Sequence, residues 1–211
     1  MQINEQNPPR RGRPPKVVRS NADTKVLLIT TGLETLTEFG FSATGIDTIL
    51  KKVGVPKGSF YHYFASKEAF GLAVLESYAN YFAKKLDACL LDESFPPLTR
   101  LSNYVASAKV GMSRYQFKRG CLVGNLGQEV DLLPESFRPI LIEIFLSWQQ
   151  RVANCFTAAQ TSGDLSINAD CELLAECFWI GWEGAVSRAR LAQDTKPLDI
   201  YFNHFIAGLP K

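Results

Sequence analysis

Of the five cysteines in this 211-residue chain, one stands in company that could give it chemistry. Cys121 follows Lys118, Arg119 and Gly120 and precedes Leu122-Val123-Gly124-Asn125, where a helix is expected to begin. Two preceding cations and a helix N-terminus both favour thiolate over thiol, and a thiolate is a nucleophile toward electrophilic carbon. The same Lys118 and Arg119 could instead attract a small carboxylate such as acrylate without any covalent bond. Cys89, Cys155, Cys171 and Cys177 fall within amphipathic runs and read as small buried apolar side chains. No CxxC pair occurs, the two histidines, His62 and His204, lie far apart, and HExxH, GxSxG and phosphate-loop patterns are absent. No catalytic constellation, metal site or cofactor is therefore expected. A cytosolic thiol-dependent enzyme built on Cys121 stays open as an alternative, and it would turn over substrate without DNA.

A second chemistry is the capture of a polyanion. The net charge is only +2, but residues 1–20 hold Arg10, Arg11, Arg13, Lys16 and Arg19 against Glu5 alone. That segment carries +4 and leaves −2 for the remainder, the distribution of a basic arm on a near-neutral body. Four prolines, at 8, 9, 14 and 15, suit a segment that orders only on binding. Arg11-Gly12-Arg13-Pro14 resembles the core of an AT-hook, in which arginines flank a glycine thin enough for a narrow A·T minor groove. A passive architectural binder of A·T-rich DNA, without effector, is thus a further alternative.

The elements that must position these residues are helical. From Asn21 onward, Val26, Leu27, Ile29, Leu33, Leu36 and Phe39 outline a first helix closed by Gly40. Thr44 is a plausible N-cap for a second, with Ile46, Ile49, Leu50 and Val53 as its apolar stripe. Gly54 ends that helix, Pro56 opens a short third one, and Ser66 caps a long fourth. After Pro96-Pro97, helices are expected near 97–116, 121–130, 134–162, 170–193 and 197–208. Period-two alternation never persists, so the fold class is all-α. With 46% apolar residues the chain can bury a sizeable core. No stretch reaches the ~20 apolar residues of a membrane span, since the best candidate, Leu173 to Val186, contains Glu176 and Glu183. A cytosolic chain with reduced thiols and no membrane partner is the expectation.

Two short helices joined at Gly54 make a helix-turn-helix, whose second helix enters the major groove of DNA. That helix would offer Lys57 and free backbone N–H groups to phosphates, Gly58 for close approach, and Tyr61 and His62 on its open face, with Phe60 and Phe64 turned inward. The run Gly54-Val55-Pro56-Lys57-Gly58-Ser59-Phe60-Tyr61-His62-Tyr63-Phe64, continued by Ala65-Ser66-Lys67-Glu68-Ala69-Phe70, resembles the signature of the TetR family of bacterial transcriptional regulators. The resemblance implies a basic arm over 1–20, a three-helix DNA-binding head over 21–68, and an effector-binding, dimerising body over 69–211. It also implies DNA contacts by Thr44, Gly45, Lys57, Gly58, Tyr61, His62 and Lys67, joined by Arg11 and Arg13 of the arm. Asp47 departs from a common family form, in which a basic or polar residue follows the threonine pair.

For the body, the resemblance implies a small effector that releases DNA, held among aromatic residues; Tyr104, Tyr115, Trp148 and Trp179 are the candidate lining. Gly120-Cys121-Leu122 with Glu129-Val130 is similar to the matching segment of family repressors that answer reactive electrophiles, such as those controlling N-ethylmaleimide reductase or acrylate metabolism. Cys121, Lys118 and Arg119 are therefore the candidate sensor. The last two helices would pair with their symmetry mates, Gly181, Gly184 and Ala185 forming a flat strip for the homodimer. Such a dimer would present two recognition helices to a near-palindromic operator.

Overall fold

The computed structural model describes residues 21–211. The arm, with Arg11 and Arg13, lies outside the described residues. Among those described, the chain forms α1 (Asn21–Phe39), α2 (Ile46–Val53), α3 (Lys57–Tyr63), α4 (Lys67–Leu90), α5 (Pro97–Arg114), α6 (Leu122–Gln128), a 3-10 turn (Val130–Leu132), α7 (Phe137–Ser162), α8 (Cys171–Ala192) and α9 (Lys196–Ala207). No strand occurs among them. No helix among the described residues is long and apolar enough to cross a membrane.

The face of α1 differs from its expected stripe. Val26 and Phe39 are exposed, while Leu28 and Leu36 are fully buried beside Thr24, Thr31 and Thr35. Threonines hide here because a helical hydroxyl can bond backward: Thr35 Oγ1 donates to the Thr31 carbonyl at 2.8 Å and Thr37 Oγ1 to Leu33 at 2.6 Å. The period is therefore right but the phase is shifted toward residues that look polar in sequence.

The turn after α1 requires Gly40, at φ +83°. Gly45, not Thr44, is the N-cap of α2; Thr44 is buried and its hydroxyl donates to the Gly40 carbonyl at 2.6 Å. Gly54 closes α2 in the left-handed region, with its N–H on the Leu50 carbonyl. Ile49, Leu50 and Val53 are buried as expected. Phe60 and Phe64 pack with Phe70 of α4, ring centroids 5.0–5.4 Å apart, which seats α3 against the long connecting helix. Ser66 caps α4, accepting the Ala69 N–H at 3.0 Å.

In the body, α4 and α5 pack on α7, α7 on α8, and α8 on α9, while α6 touches α1, α4 and α7. Gly181 does not serve an outward strip. A Cβ there would run into the Tyr201 ring, and the Tyr201 hydroxyl donates to the Phe178 carbonyl at 2.7 Å. Gly181 thus lets α9 lie close on α8 within one chain. Ala185 is buried inside the chain, and of the three residues only Gly184 faces outward.

Candidate functional site

The outward face of the head carries Gly45, Lys57, Gly58, Tyr61 and His62, all exposed. Open space surrounds both Gly45 and Gly58, so neither glycine answers an internal packing demand. Lys57 Nζ lies 3.6 Å from Asp47, an exposed pair that solvent screens. Asp47 thereby lies beside the cation that would otherwise be free for phosphate. Thr44, buried and bonded to Gly40, does not present its side chain on this face. Lys67 is half-buried at the head's flank, with Nζ 4.5 Å from the Phe41 ring centroid. Burial lowers its pKa, an effect that the Glu129 charge opposes.

Behind the head lies a cavity of about 390 Å³. Its walls come from both halves of the molecule: Leu33, Glu34 and Thr37 of α1, then Tyr78, Phe82 and Lys85 of α4, Tyr104 of α5, and Trp182 and Glu183 of α8. Tyr115, Arg119 and Cys121, from the segment between α5 and α6, complete it. Four of the expected residues, Tyr104, Tyr115, Arg119 and Cys121, therefore meet at one place. Trp148 and Trp179 do not line it; they stack on each other at 5.2 Å behind Phe82, which stands 4.3 Å from Trp148. Lys118 is exposed and also lies outside the lining.

The expected electrostatics of Cys121 are reversed. Burial pushes its thiol well above the usual range, and the nearby Glu183 charge pushes the same way. The cations thought to favour thiolate are directed elsewhere. Arg119 Nε donates to Glu38 at 2.9 Å, its guanidinium lies 3.5 Å from Glu34, and it covers the Tyr115 ring at 4.2 Å. The sulfur instead accepts the Gly124 N–H at 3.4 Å. Its S–H faces the Glu183 carboxyl, which burial raises from 4.5 to about 7. Lys85 is also shifted, downward, by burial. Of the other cysteines, Cys155 is buried as expected but Cys177 is exposed on α8.

The same segment ties cavity to head. Asn125 Nδ2 donates to the Thr37 carbonyl at 3.0 Å, and its Oδ1 accepts from Arg190 at 2.9 Å. Glu129 reaches the turn after α1, accepting the Ser42 N–H at 2.9 Å directly over Gly40, where any Cβ would strike its carboxylate. Sequence reasoning missed Glu34, Glu38, Tyr78, Lys85 and Glu183. Only Glu183 left a signal: an acid in the strongly apolar run Phe178-Trp179-Ile180-Gly181-Trp182.

Comparison with known proteins converges on one group. Residues 28–74 match the family described as bacterial regulatory proteins, tetR family, and residues 97–205 match the tetracyclin repressor-like C-terminal domain. The transcriptional regulator AcuR of Cereibacter sphaeroides is 51% identical over 93% of this chain and 90% of its own length. The HTH-type transcriptional repressor DhaR of a Mycobacterium species is 33% identical over 82% of this chain and 85% of its own. A crystal structure of a regulatory protein TetR from Rhodobacter sphaeroides superposes with a TM-score of 0.86 at 50% identity, covering 88% of this chain and 98% of that one.

Proposed function

Since the chain belongs to the TetR family of helix-turn-helix transcriptional regulators, we propose that it is a dimeric repressor released from its operator by a small electrophile or unsaturated acid. The observation that carries this reading is the shared wall of the cavity: α1 of the head lines it together with Arg119 and Cys121 of the body. A molecule lodged there touches the head directly. Release then follows from differential affinity. The effector favours a conformer in which the two heads no longer match the spacing of the half-sites, and DNA favours the other.

Two modes of capture fit the lining. An electrophile would form an adduct with Cys121; a carboxylate would pair with Arg119. On the DNA side, Lys57, Tyr61 and His62 would meet the major groove, with Gly45 and Gly58 allowing close approach and Lys67 bracing the flank. The exposed apolar edges of α8 and α9 would close the two-fold dimer. Similarity to AcuR and DhaR supports a DNA-binding regulator over a thiol enzyme or an architectural binder.

Fluorescence anisotropy of a labelled fragment from upstream of this protein's own coding region tests the reading. Wild type and Cys121→Ser are titrated with and without acrylate or N-ethylmaleimide. Specific binding lost on treatment in wild type but kept in Cys121→Ser supports the thiol mode, and loss in both supports the acid mode. Binding that neither compound disturbs would remove the effector claim.

A further inference from the structure

Glu183 is a half-buried acid whose Oε1 is shielded from water, and no ion pair among the described residues accounts for it. It reaches the cavity from α8, and its Oε1 has no hydrogen-bond partner. Its Oε2 presses on Gly124 so closely that a Cβ there would overlap it. An unpaired carboxyl out of water is costly. What faces it is the Cys121 side chain, which flanks Gly124 together with the carboxylate and lines the same cavity. The sulfur in turn accepts the Gly124 N–H at 3.4 Å, and Tyr78 stands with it on the cavity wall. An acceptor for the proton and a backbone donor for the charge left on sulfur make the arrangement of an activated nucleophile. Without the acceptor, burial would keep the thiol inert.

We infer that Glu183 is the general base that activates Cys121 toward conjugated, electron-poor alkenes entering the cavity. This rests on the thiol-sensing mode proposed above. The step is a conjugate addition. As the sulfur lone pair forms the S–C bond at the β-carbon, the thiol proton passes to the Glu183 carboxylate. The alkene π pair moves onto the carbonyl-conjugated α-carbon, which then takes the proton back from Glu183. An S–H bond and a π bond are lost, an S–C and a C–H bond are gained, and Glu183 returns to its starting state. No oxidant or reductant enters.

The groups facing Glu183 are Cys121, Tyr78 of α4 and Tyr104 of α5; Lys85, Arg119 and Glu34 stand elsewhere on the cavity wall, and Arg188 follows on α8 itself. Burial raises both tyrosines, so they stay protonated over the neutral range. The acid that changes state near pH 7 at this thiol is then Glu183.

The test is the rate at which N-ethylmaleimide modifies Cys121, followed by peptide mass spectrometry on the full chain across pH. In wild type the rate should climb with pH through about 7 as Glu183 ionises, level off once ionisation is complete, and climb again only where free thiolate forms. Glu183→Gln should slow the reaction about a hundredfold near neutrality and climb with pH without the plateau. Glu183→Asp, which keeps the charge one methylene further away, should give an intermediate rate and retain the plateau. Circular dichroism of each variant reports folding. Equal rates and profiles in wild type and Glu183→Gln would overturn the role of Glu183 alone. Absence of a Cys121 adduct in wild type would overturn the thiol mode and this inference with it.

Discussion

Glu183 also leaves a mark on stability that requires no ligand. Its carboxyl is raised from 4.5 to about 7 by burial. Between those values the folded chain holds a proton that the unfolded chain has released. The stabilisation is fully present below about pH 4.5 and is lost as pH rises through about 7, by linkage on the order of 3 kcal/mol. Gln at this position carries no such titration. Urea denaturation of wild type and Glu183→Gln should therefore diverge by up to about 3 kcal/mol in the variant's favour on going from about pH 5 to about pH 8. Parallel stability curves would mean that the carboxyl is hydrated in solution. At this scale the sequence was a partial guide. Cys121 and Arg119 stood out because their chemistry is local to four consecutive residues. The partners that decide their behaviour, Glu183 for the thiol and Glu34 and Glu38 for the guanidinium, arrive from helices some sixty to eighty-five residues away in the chain. Local spacing made the thiol look acidic; tertiary burial made it the opposite.

Between helices, the segment joining α5 to α6 touches both the cavity and the head. Arg119 belongs to the cavity and to the head at once, because the carboxylates that neutralise it, Glu34 and Glu38, are on α1. A carboxylate effector would have to compete with them. Glu38→Gln removes the nearer partner, at 2.9 Å, and leaves Arg119 freer to accept the ligand. Titration calorimetry with acrylate should show affinity rising several-fold, in keeping with about 1 kcal/mol for one charge-assisted hydrogen bond. Unchanged affinity would place the acid elsewhere in the cavity. The helices themselves were legible wherever punctuation is local: Gly40, Gly54 and Ser66 bound the first four because each supplies a backbone conformation or cap that its neighbours cannot. The α1 face was misread because hydrophobicity alone cannot find Thr35 and Thr37, whose hydroxyls donate to carbonyls of the same helix. Gly181 was misassigned for a related reason. A small residue signals close approach, but sequence does not say whether Tyr201 of the same chain or a helix of another copy is what approaches.

For the whole molecule, operator recognition by two heads needs a two-fold partner. The surface suited to one is a stripe on α8. Leu173, Cys177, Ile180, Gly184 and Leu191 are all exposed and recur at intervals of three, four and seven, the spacing of one helix face. Ile180 is 68% exposed and Leu191 76%, and Ile200 of α9 continues the face at 60%. Large aliphatic side chains in contiguous exposure are unfavourable for a free monomer, whereas a four-helix seam with a symmetry mate would cover them. Gly184, outward and unobstructed, would let the helices cross closely near the centre of the stripe. Ile180→Arg places a charge in that seam at a position that touches neither the cavity lining nor the head. Light scattering should show a shift from dimer toward monomer at micromolar concentration, and operator affinity should fall at least tenfold because one head at a time engages the DNA. The Cys121 thiol, buried within a single chain, should keep its reactivity toward N-ethylmaleimide, which separates loss of assembly from loss of sensing. A fully dimeric Ile180→Arg would move the interface off α8. The glycine there would then have no partner to admit, and the two-headed reading of the operator would need another surface to support it.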